Sequence, residues 1–253
     1  MFEQILFGVI FCLYGIVIGS FVNVLILRIP ISESVTLTRS HCMTCGHVLS
    51  WYELVPLFSY IFLGGKCRHC KTHISVQYPI VEALNGVLYV ILYLACGISV
   101  ECILYCLCAS ALLALSVIDW RTKEIPVGFN IFILLLGLIR LVTDLSNWHQ
   151  YVIGLFAVSG FLYLLMIISK GKAMGGGDIK LMAATGLLLG WQLIIVAFLS
   201  GCVVGSIIHL SLMAIKKVGR ELAFGPYLSA GVFLAMIWGE QLVSWYLSMW
   251  ATY

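Results

Sequence analysis

Charged side chains are scarce in this 253-residue sequence: they make up 10% of it, against about 25% in an average soluble domain. Hydrophobic residues make up 62%, well above the roughly 45–50% of soluble domains, so we expect most of the chain to be solvated by lipid. The formal net charge is only +3, and the basic residues are scattered between apolar runs. The absence of a basic stripe argues against nucleic acid as a partner.

The first apolar run, over residues 5–27, lacks the positive charge that precedes the apolar part of a cleaved secretory signal. Glu3 comes before the run and Arg28 follows it. The run is also long enough to cross a bilayer core of roughly 30 Å. We therefore predict a retained first helix with its N-terminus outside the cytoplasm.

Further apolar segments predict an all-α polytopic membrane protein with about eight transmembrane helices. The uncharged stretch 181–215 is too long for one span, and Gly190-Trp191 is predicted to break it into a short helix and a full one. The other predicted spans cover approximately 80–100, 102–118, 127–142, 151–168 and 225–246.

The basic residues predict the orientation of these spans. Thirteen of the fourteen Lys and Arg residues follow odd-numbered spans, and only Arg140 lies on the other side. Since positive charge is retained in the cytoplasm, both termini are predicted to face outward. The thirteen are Arg28, Arg39, Lys66, Arg68, Lys71, Arg121, Lys123, Lys170, Lys172, Lys180, Lys216, Lys217 and Arg220.

Two Cys-x-x-Cys pairs occupy the largest cytoplasmic segment, and 21 residues separate them. This spacing is typical of a structural zinc site, in which four thiolates surround one ion and leave no open position for water. Gly46 suits the tight turn after the first pair, whereas Lys71 at the equivalent place does not. The alternatives are reduced thiol pairs or disulfides, and a cytoplasmic location argues against disulfides. The predicted ligands are Cys42, Cys45, Cys67 and Cys70.

The chain is therefore predicted to comprise a first transmembrane helix over 1–28, a cytoplasmic zinc-binding domain over 29–79 and a membrane domain over 80–253. The histidines that flank the cysteine pairs are predicted to be solvated. No low-complexity tract and no convincing internal repeat is evident.

Two aspartates mark the cytoplasmic ends of predicted spans: Asp119 ends the third, and Asp178 opens the sixth. Ionisable groups in such places are costly and commonly functional. If the helices pack together, the two carboxylates would share one proton, so one could activate water while the other protonates a leaving amine. Singly, Asp119 could instead be a helix-end residue paired with Arg121, and Asp178 a first-turn residue favoured by the helix dipole.

Several neighbouring residues could shape such a site. Gly175, Gly176 and Gly177 remove three side chains directly before Asp178, which would let an extended substrate or a neighbouring helix approach closely. Glu82 and Asn85, one turn apart near the inner end of the second span, either line the same cavity or hydrogen-bond within the bundle.

Several motifs in this order give the chain a resemblance to the bifunctional type IV prepilin peptidases, also called prepilin leader peptidase/N-methyltransferases. The cysteine pairs flank Trp51-Tyr52-Glu53, as in the cytoplasmic domain of that family. Met43 departs from the proline that many members have inside the first pair. The other motifs are Gly19-Ser20-Phe21-Val22-Asn23-Val24, Arg28-Ile29-Pro30, Tyr78-Pro79-Ile80-Val81-Glu82, Gly175-Gly176-Gly177-Asp178-Ile179-Lys180, which is similar to the family's G-x-G-D, and Phe224-Gly225-Pro226-Tyr227.

The resemblance implies that Asp119 and Asp178 are the catalytic aspartates of an intramembrane aspartic endopeptidase. It implies that the substrates are type IV prepilins and type II secretion pseudopilins, cut after a glycine on the cytoplasmic side of the bacterial inner membrane. It also implies N-methylation of the new N-terminus with S-adenosylmethionine, assigned to the first cytoplasmic domain, although no nucleotide-binding glycine fingerprint is present. The competing hypotheses are a peptidase without methyl transfer, a proton-coupled transporter that uses both aspartates as a relay, and a noncatalytic assembly protein.

Overall fold

The computed structural model describes residues 2–36, 38–171, 174–216 and 223–251. Within those ranges the secondary structure is helical apart from two isolated β-bridges, which confirms the all-α class. Of the basic residues used for the orientation, Lys172, Lys217 and Arg220 lie outside the described residues. The α-helices are α1 (Phe2–Arg28), α2 (Phe58–Phe62), α3 (Gln77–Cys96), α4 (Val100–Thr122), α5 (Val127–Thr143), α6 (Trp148–Ile168), α7 (Gly176–Leu189), α8 (Trp191–Lys216) and α9 (Gly225–Ala251).

Five described segments are long and apolar enough to cross a membrane, so the chain is a membrane protein. The count of eight spans is not confirmed. Helix α7 has only 14 residues, about 21 Å at 1.5 Å per residue, which is short of a bilayer core of roughly 30 Å. The five segments are Phe2–Ile31, Gln77–Cys96, Val100–Thr122, Leu145–Ile168 and Trp191–Ser211; Val127–Thr143 is a shorter apolar helix.

The chain divides into two compact units, Met1–Ile98 and Ser99–Tyr253. In the first unit, α1 and α3 cross so closely that a Cβ atom on Gly15 would lie 2.8 Å from the Asn85 carbonyl oxygen. The Asn85 side-chain amide donates to the Gly15 carbonyl over 2.7 Å. Small residues allow the two helices to approach closely, and the buried hydrogen bond between them then stabilises their packing.

The second unit contains α4 to α9. Helix α5 packs against both α4 and α7, and α9 packs against α4 and α8. The predicted break at Gly190 is confirmed: α7 ends at Leu189, Gly190 has a φ of 85°, and α8 begins at Trp191. A positive φ with an extended ψ is open to glycine without steric cost, so the chain can turn here from α7 into α8.

Arg140, the one cation predicted for the outer side, lies at the end of the second unit where α5 stops. Its guanidinium forms an ion pair with Glu101 at 2.9 Å and lies over the Tyr151 ring. The Tyr151 hydroxyl donates to Asp144 over 2.7 Å and holds the pKa of that carboxyl below its usual range. These groups line a polar cavity of about 460 Å³, so the positive charge of Arg140 is balanced locally.

Candidate active site and metal centre

Asp119 lies in the last turn of α4 and is only 4% exposed. Its Oδ2 accepts a hydrogen bond from the backbone N–H of Gly225, the first residue of α9, over 2.9 Å. A Cβ atom at Gly225 would lie 2.7 Å from that oxygen. The absence of a side chain at Gly225 therefore lets the N-terminus of α9 reach a buried carboxylate.

Asp178 is the third residue of α7, in its first turn, and is partly buried. This is the first-turn position that the sequence offered as an alternative for Asp178, where unpaired backbone N–H groups face the side chain. The negative charge of Asp119 also acts on Asp178. The fold thus brings two carboxylates that are 59 positions apart in the sequence within electrostatic range at one end of the second unit.

The three glycines before Asp178 have different surroundings. A Cβ atom on Gly177 would lie 3.0 Å from the Ile125 side chain, whereas one on Gly176 would meet nothing within 4 Å. Gly175 caps α7, and both Gly175 and Gly176 are exposed. Only Gly177 is therefore needed for helix packing, and the other two leave open space beside Asp178.

The sequence alone gave no site role to Ile125 or to Gly225, although Gly225 lies in the motif Phe224-Gly225-Pro226-Tyr227. The Ile125 side chain packs against Gly177 and comes within 3.3 Å of a Cβ atom placed on Gly225. It therefore fills the space where α5, α7 and α9 begin. Its one signal in the sequence is its place between Asp119 and Pro126, in the loop that leads into α5.

Glu82 and Asn85 both make hydrogen bonds within the first unit. One Glu82 carboxylate oxygen accepts from the backbone N–H of Leu57 over 2.8 Å, and Asn85 bonds to Gly15 as described above. Leu57 has a positive φ of 61°. Asn85 thus bonds between two helices, whereas Glu82 bonds to the loop that follows the first cysteine pair.

The four cysteines converge on one point in the first unit. All four Sγ atoms lie within 4.8 Å of one another, and those of Cys42 and Cys70 are 3.8 Å apart. A tetrahedral zinc ion with Zn–S bonds of about 2.3 Å needs S···S distances of about 3.8 Å. The Cys70 Sγ also makes a hydrogen bond with the Thr72 hydroxyl over 3.3 Å. The residues therefore fit a four-thiolate zinc ion.

The two cysteine pairs form a structural repeat that the sequence did not reveal. Gly46 N–H bonds to Cys42 O over 2.9 Å, and Lys71 N–H bonds to Cys67 O over 3.0 Å. The β-bridges His41↔Val48 and Lys66↔His73 flank the two turns in the same way. Although lysine is a poor residue for this turn, Lys71 adopts it, since its φ of 62° is close to the 69° of Gly46.

We expect the substitution Lys71→Gly to stabilise the cysteine segment by about 1 kcal/mol, because a non-glycine residue in the left-handed region costs roughly that much. Gly46→Ala is the matched opposite change and should destabilise it by a similar amount. A Cβ atom at Gly46 would meet nothing within 4 Å, so only the backbone conformation is tested. The chelator concentration that removes half the metal measures both changes. Easier removal from Lys71→Gly than from the wild type would contradict the expectation.

Two family models match the chain: the bacterial peptidase A24 N-terminal domain over residues 13–96, and the type IV leader peptidase family over residues 106–210. A prepilin leader peptidase/N-methyltransferase of Bacillus subtilis (strain 168) is 33% identical over 242 residues, covering 94% of this chain and 96% of the relative. Proteins of the same name from Aeromonas salmonicida (strain A449) and Pseudomonas putida are each 30% identical, covering 96% and 90% of this chain and 94% and 89% of the relatives. No solved structure matches.

Proposed function

Because the chain belongs to the type IV leader peptidase family, we propose that it is an aspartic endopeptidase that removes the basic leader from type IV prepilins and type II secretion pseudopilins. Asp119 and Asp178 are the proposed catalytic pair. The observation that carries this assignment is that Ile125 packs against both Gly177, which precedes Asp178, and Gly225, which bonds to Asp119. The substrate class follows from the relatives, which are named prepilin leader peptidases.

In the proposed mechanism the two carboxylates have different roles. The Gly225 N–H donates to Asp119, and a hydrogen bond of this kind favours the ionised carboxylate. Asp119 is therefore the base that takes a proton from water as the water oxygen attacks the scissile carbonyl. Asp178 is the acid that gives its proton to the leaving amine. The open space beside Gly175 and Gly176 admits the extended peptide.

We propose that the four cysteines hold a structural zinc ion that shapes the 29–79 domain, while residues 80–253 form the peptidase. Four thiolates saturate a tetrahedral ion, so the zinc supplies folding energy and no catalytic step.

The relatives are also named N-methyltransferases, and we propose that this chain N-methylates the new N-terminus with S-adenosylmethionine. The cavity beside Tyr52, Phe58 and Arg68 has a volume of about 260 Å³. That volume lies slightly below the roughly 300–1,000 Å³ of small-molecule pockets, so the methyl-transfer proposal rests on the names of the relatives.

The proposed location is the bacterial inner membrane. Eight spans with both termini periplasmic would place the ends of α4 and α7 that carry Asp119 and Asp178 at the cytoplasmic boundary. A substrate with a helix in the bilayer and a short basic leader would then present its cleavage site at that boundary.

Co-expression with a type IV prepilin, in a host without its own prepilin peptidase, tests the proposed function. We expect the mass of the pilin to decrease by the mass of its leader peptide and to increase by the mass of one methyl group. An intact precursor would contradict the peptidase assignment. A cleaved but unmethylated product would leave the peptidase assignment standing and remove the methyltransferase.

A further inference from the structure

Asn130 and Ser229 are two of three buried polar side chains in the second unit that make no hydrogen bond in the part of the chain that the structure describes; Tyr227 is the third. Asn130 is 5% exposed, and neither its amide nitrogen nor its amide oxygen has a partner. The hydroxyl of Ser229, at 6% exposure, is also unpaired. By contrast, the buried hydroxyls of Ser159 and Thr185 donate to carbonyl oxygens of their own helices. An unpaired buried polar group is costly and calls for a functional explanation.

Asn130 and Ser229 both lie near the two carboxylates. Asn130 is the fourth residue of α5, and Asp178 is the third residue of α7. The two helices begin at the same end of the unit, where Ile125 packs against Gly177. Measured from that end of the unit, Asn130 therefore lies at nearly the same depth as Asp178. It is on the buried side of α5, which packs against both α4 and α7.

Ser229 lies slightly deeper in the unit. It follows Gly225 by four residues, and positions four apart share one face of a helix, about 6 Å apart along the axis. The Gly225 backbone contacts Asp119 on α4, so Ser229 lies on the same face of α9, one turn further from the helix start.

We propose that Asn130 and Ser229 form a polar subsite that hydrogen-bonds the extended substrate backbone on the membrane side of the scissile bond. This inference rests on the proposed function and adds the way in which the substrate is held. A peptide bond is accessible to attack only after the substrate helix unwinds, and unwinding exposes N–H and C=O groups that lipid cannot satisfy.

The chemistry of the two side chains matches this need. An asparagine amide carries both donor and acceptor groups, as a peptide unit does. An extended chain advances about 3.3 Å per residue, so Asn130 and Ser229 would meet the first two or three residues after the cut. Pairing with the substrate would satisfy groups that are unpaired without it.

The variants Asn130→Leu and Ser229→Ala test the subsite in proteoliposomes with a purified prepilin. We expect kcat/KM to fall about 10- to 100-fold for Asn130→Leu, the usual effect of one or two lost hydrogen bonds. The loss should lie mainly in kcat, since the intact substrate helix binds without these bonds. The melting temperature should stay the same or rise, because an unpaired polar group is removed. Ser159→Ala, which removes a paired hydroxyl at 7% exposure, is the matched control for Ser229→Ala and should cleave normally.

A substrate with an ester in place of the second or third amide after the cut separates backbone pairing from a purely structural role. The ester removes one N–H donor, so it should slow the wild type and have a much smaller effect on Asn130→Leu. Equal ester effects in the wild type and in Asn130→Leu would mean that Asn130 does not pair with the substrate backbone, and they would overturn the subsite. A normal kcat in both Asn130→Leu and Ser229→Ala would also overturn it. Failure of the wild type to cleave the all-amide substrate would overturn the proposed function itself.

Discussion

Replacing either Asp119 or Asp178 with asparagine is expected to leave the leader attached to the prepilin, with a rate loss of at least about 10²–10⁴-fold, the contribution of a positioned acid or base. Asparagine keeps the shape of the side chain but can neither take a proton from water nor supply one to the leaving amine. In Asp119→Asn the side-chain amide would still present an oxygen acceptor to Gly225 N–H, so α9 should keep its place beside α4. The measurement is the mass of the co-expressed prepilin, together with the amount of each variant in the membrane.

Asp144→Asn is the matched control for these two variants. Asp144 lies at the other end of the second unit, where it accepts hydrogen bonds from Tyr151 and Asn147. Removal of its charge should leave cleavage unchanged, so a loss confined to the Asp119 and Asp178 variants cannot reflect the removal of a negative charge in general. Processed pilin from either catalytic-site variant would disprove the assignment of these two residues.

The second large effect is expected at the metal centre: Cys42→Ser or Cys67→Ser should reduce bound zinc from one ion per chain to none. Structural zinc contributes about 10–16 kcal/mol of apparent binding energy in small zinc-binding peptides, and three thiolates with one hydroxyl bind it far less well. Because this energy supports folding, the 29–79 segment should also become sensitive to proteolysis. Metal analysis of the purified protein measures the first effect, and limited digestion measures the second.

Cys202→Ser is the control, since Cys202 lies in α8, far along the chain from the cysteine pairs, and is only partly buried. Its zinc content should equal that of the wild type. An unchanged zinc stoichiometry in Cys67→Ser would show that the four thiolates are not the ligand set. Retained cleavage in a zinc-free variant would agree with a structural role for the ion, because no step of the proposed peptidase mechanism uses it.

The sequence by itself determined the features that depend on short stretches of chain. The apolar runs predicted the long helices to within a few residues, because helix length in a membrane protein follows from the thickness of the bilayer. Gly190 marked the break between α7 and α8, since glycine adopts a positive φ easily. The Cys-x-x-Cys spacing named four side chains that do converge, because each pair forms one local turn.

Contacts between distant parts of the chain were decided only by the tertiary structure. Gly225 donates to Asp119 across 106 positions, Ile125 fills the space beside Gly177, and Asn130 remains buried without a partner in the described part of the chain. Such contacts depend on the rotation and register of packed helices. In a membrane the lipid is as apolar as the helix interfaces, so hydropathy carries little information about which faces meet. The position of each carboxylate at a helix end was therefore visible in the sequence, whereas the groups around it were not.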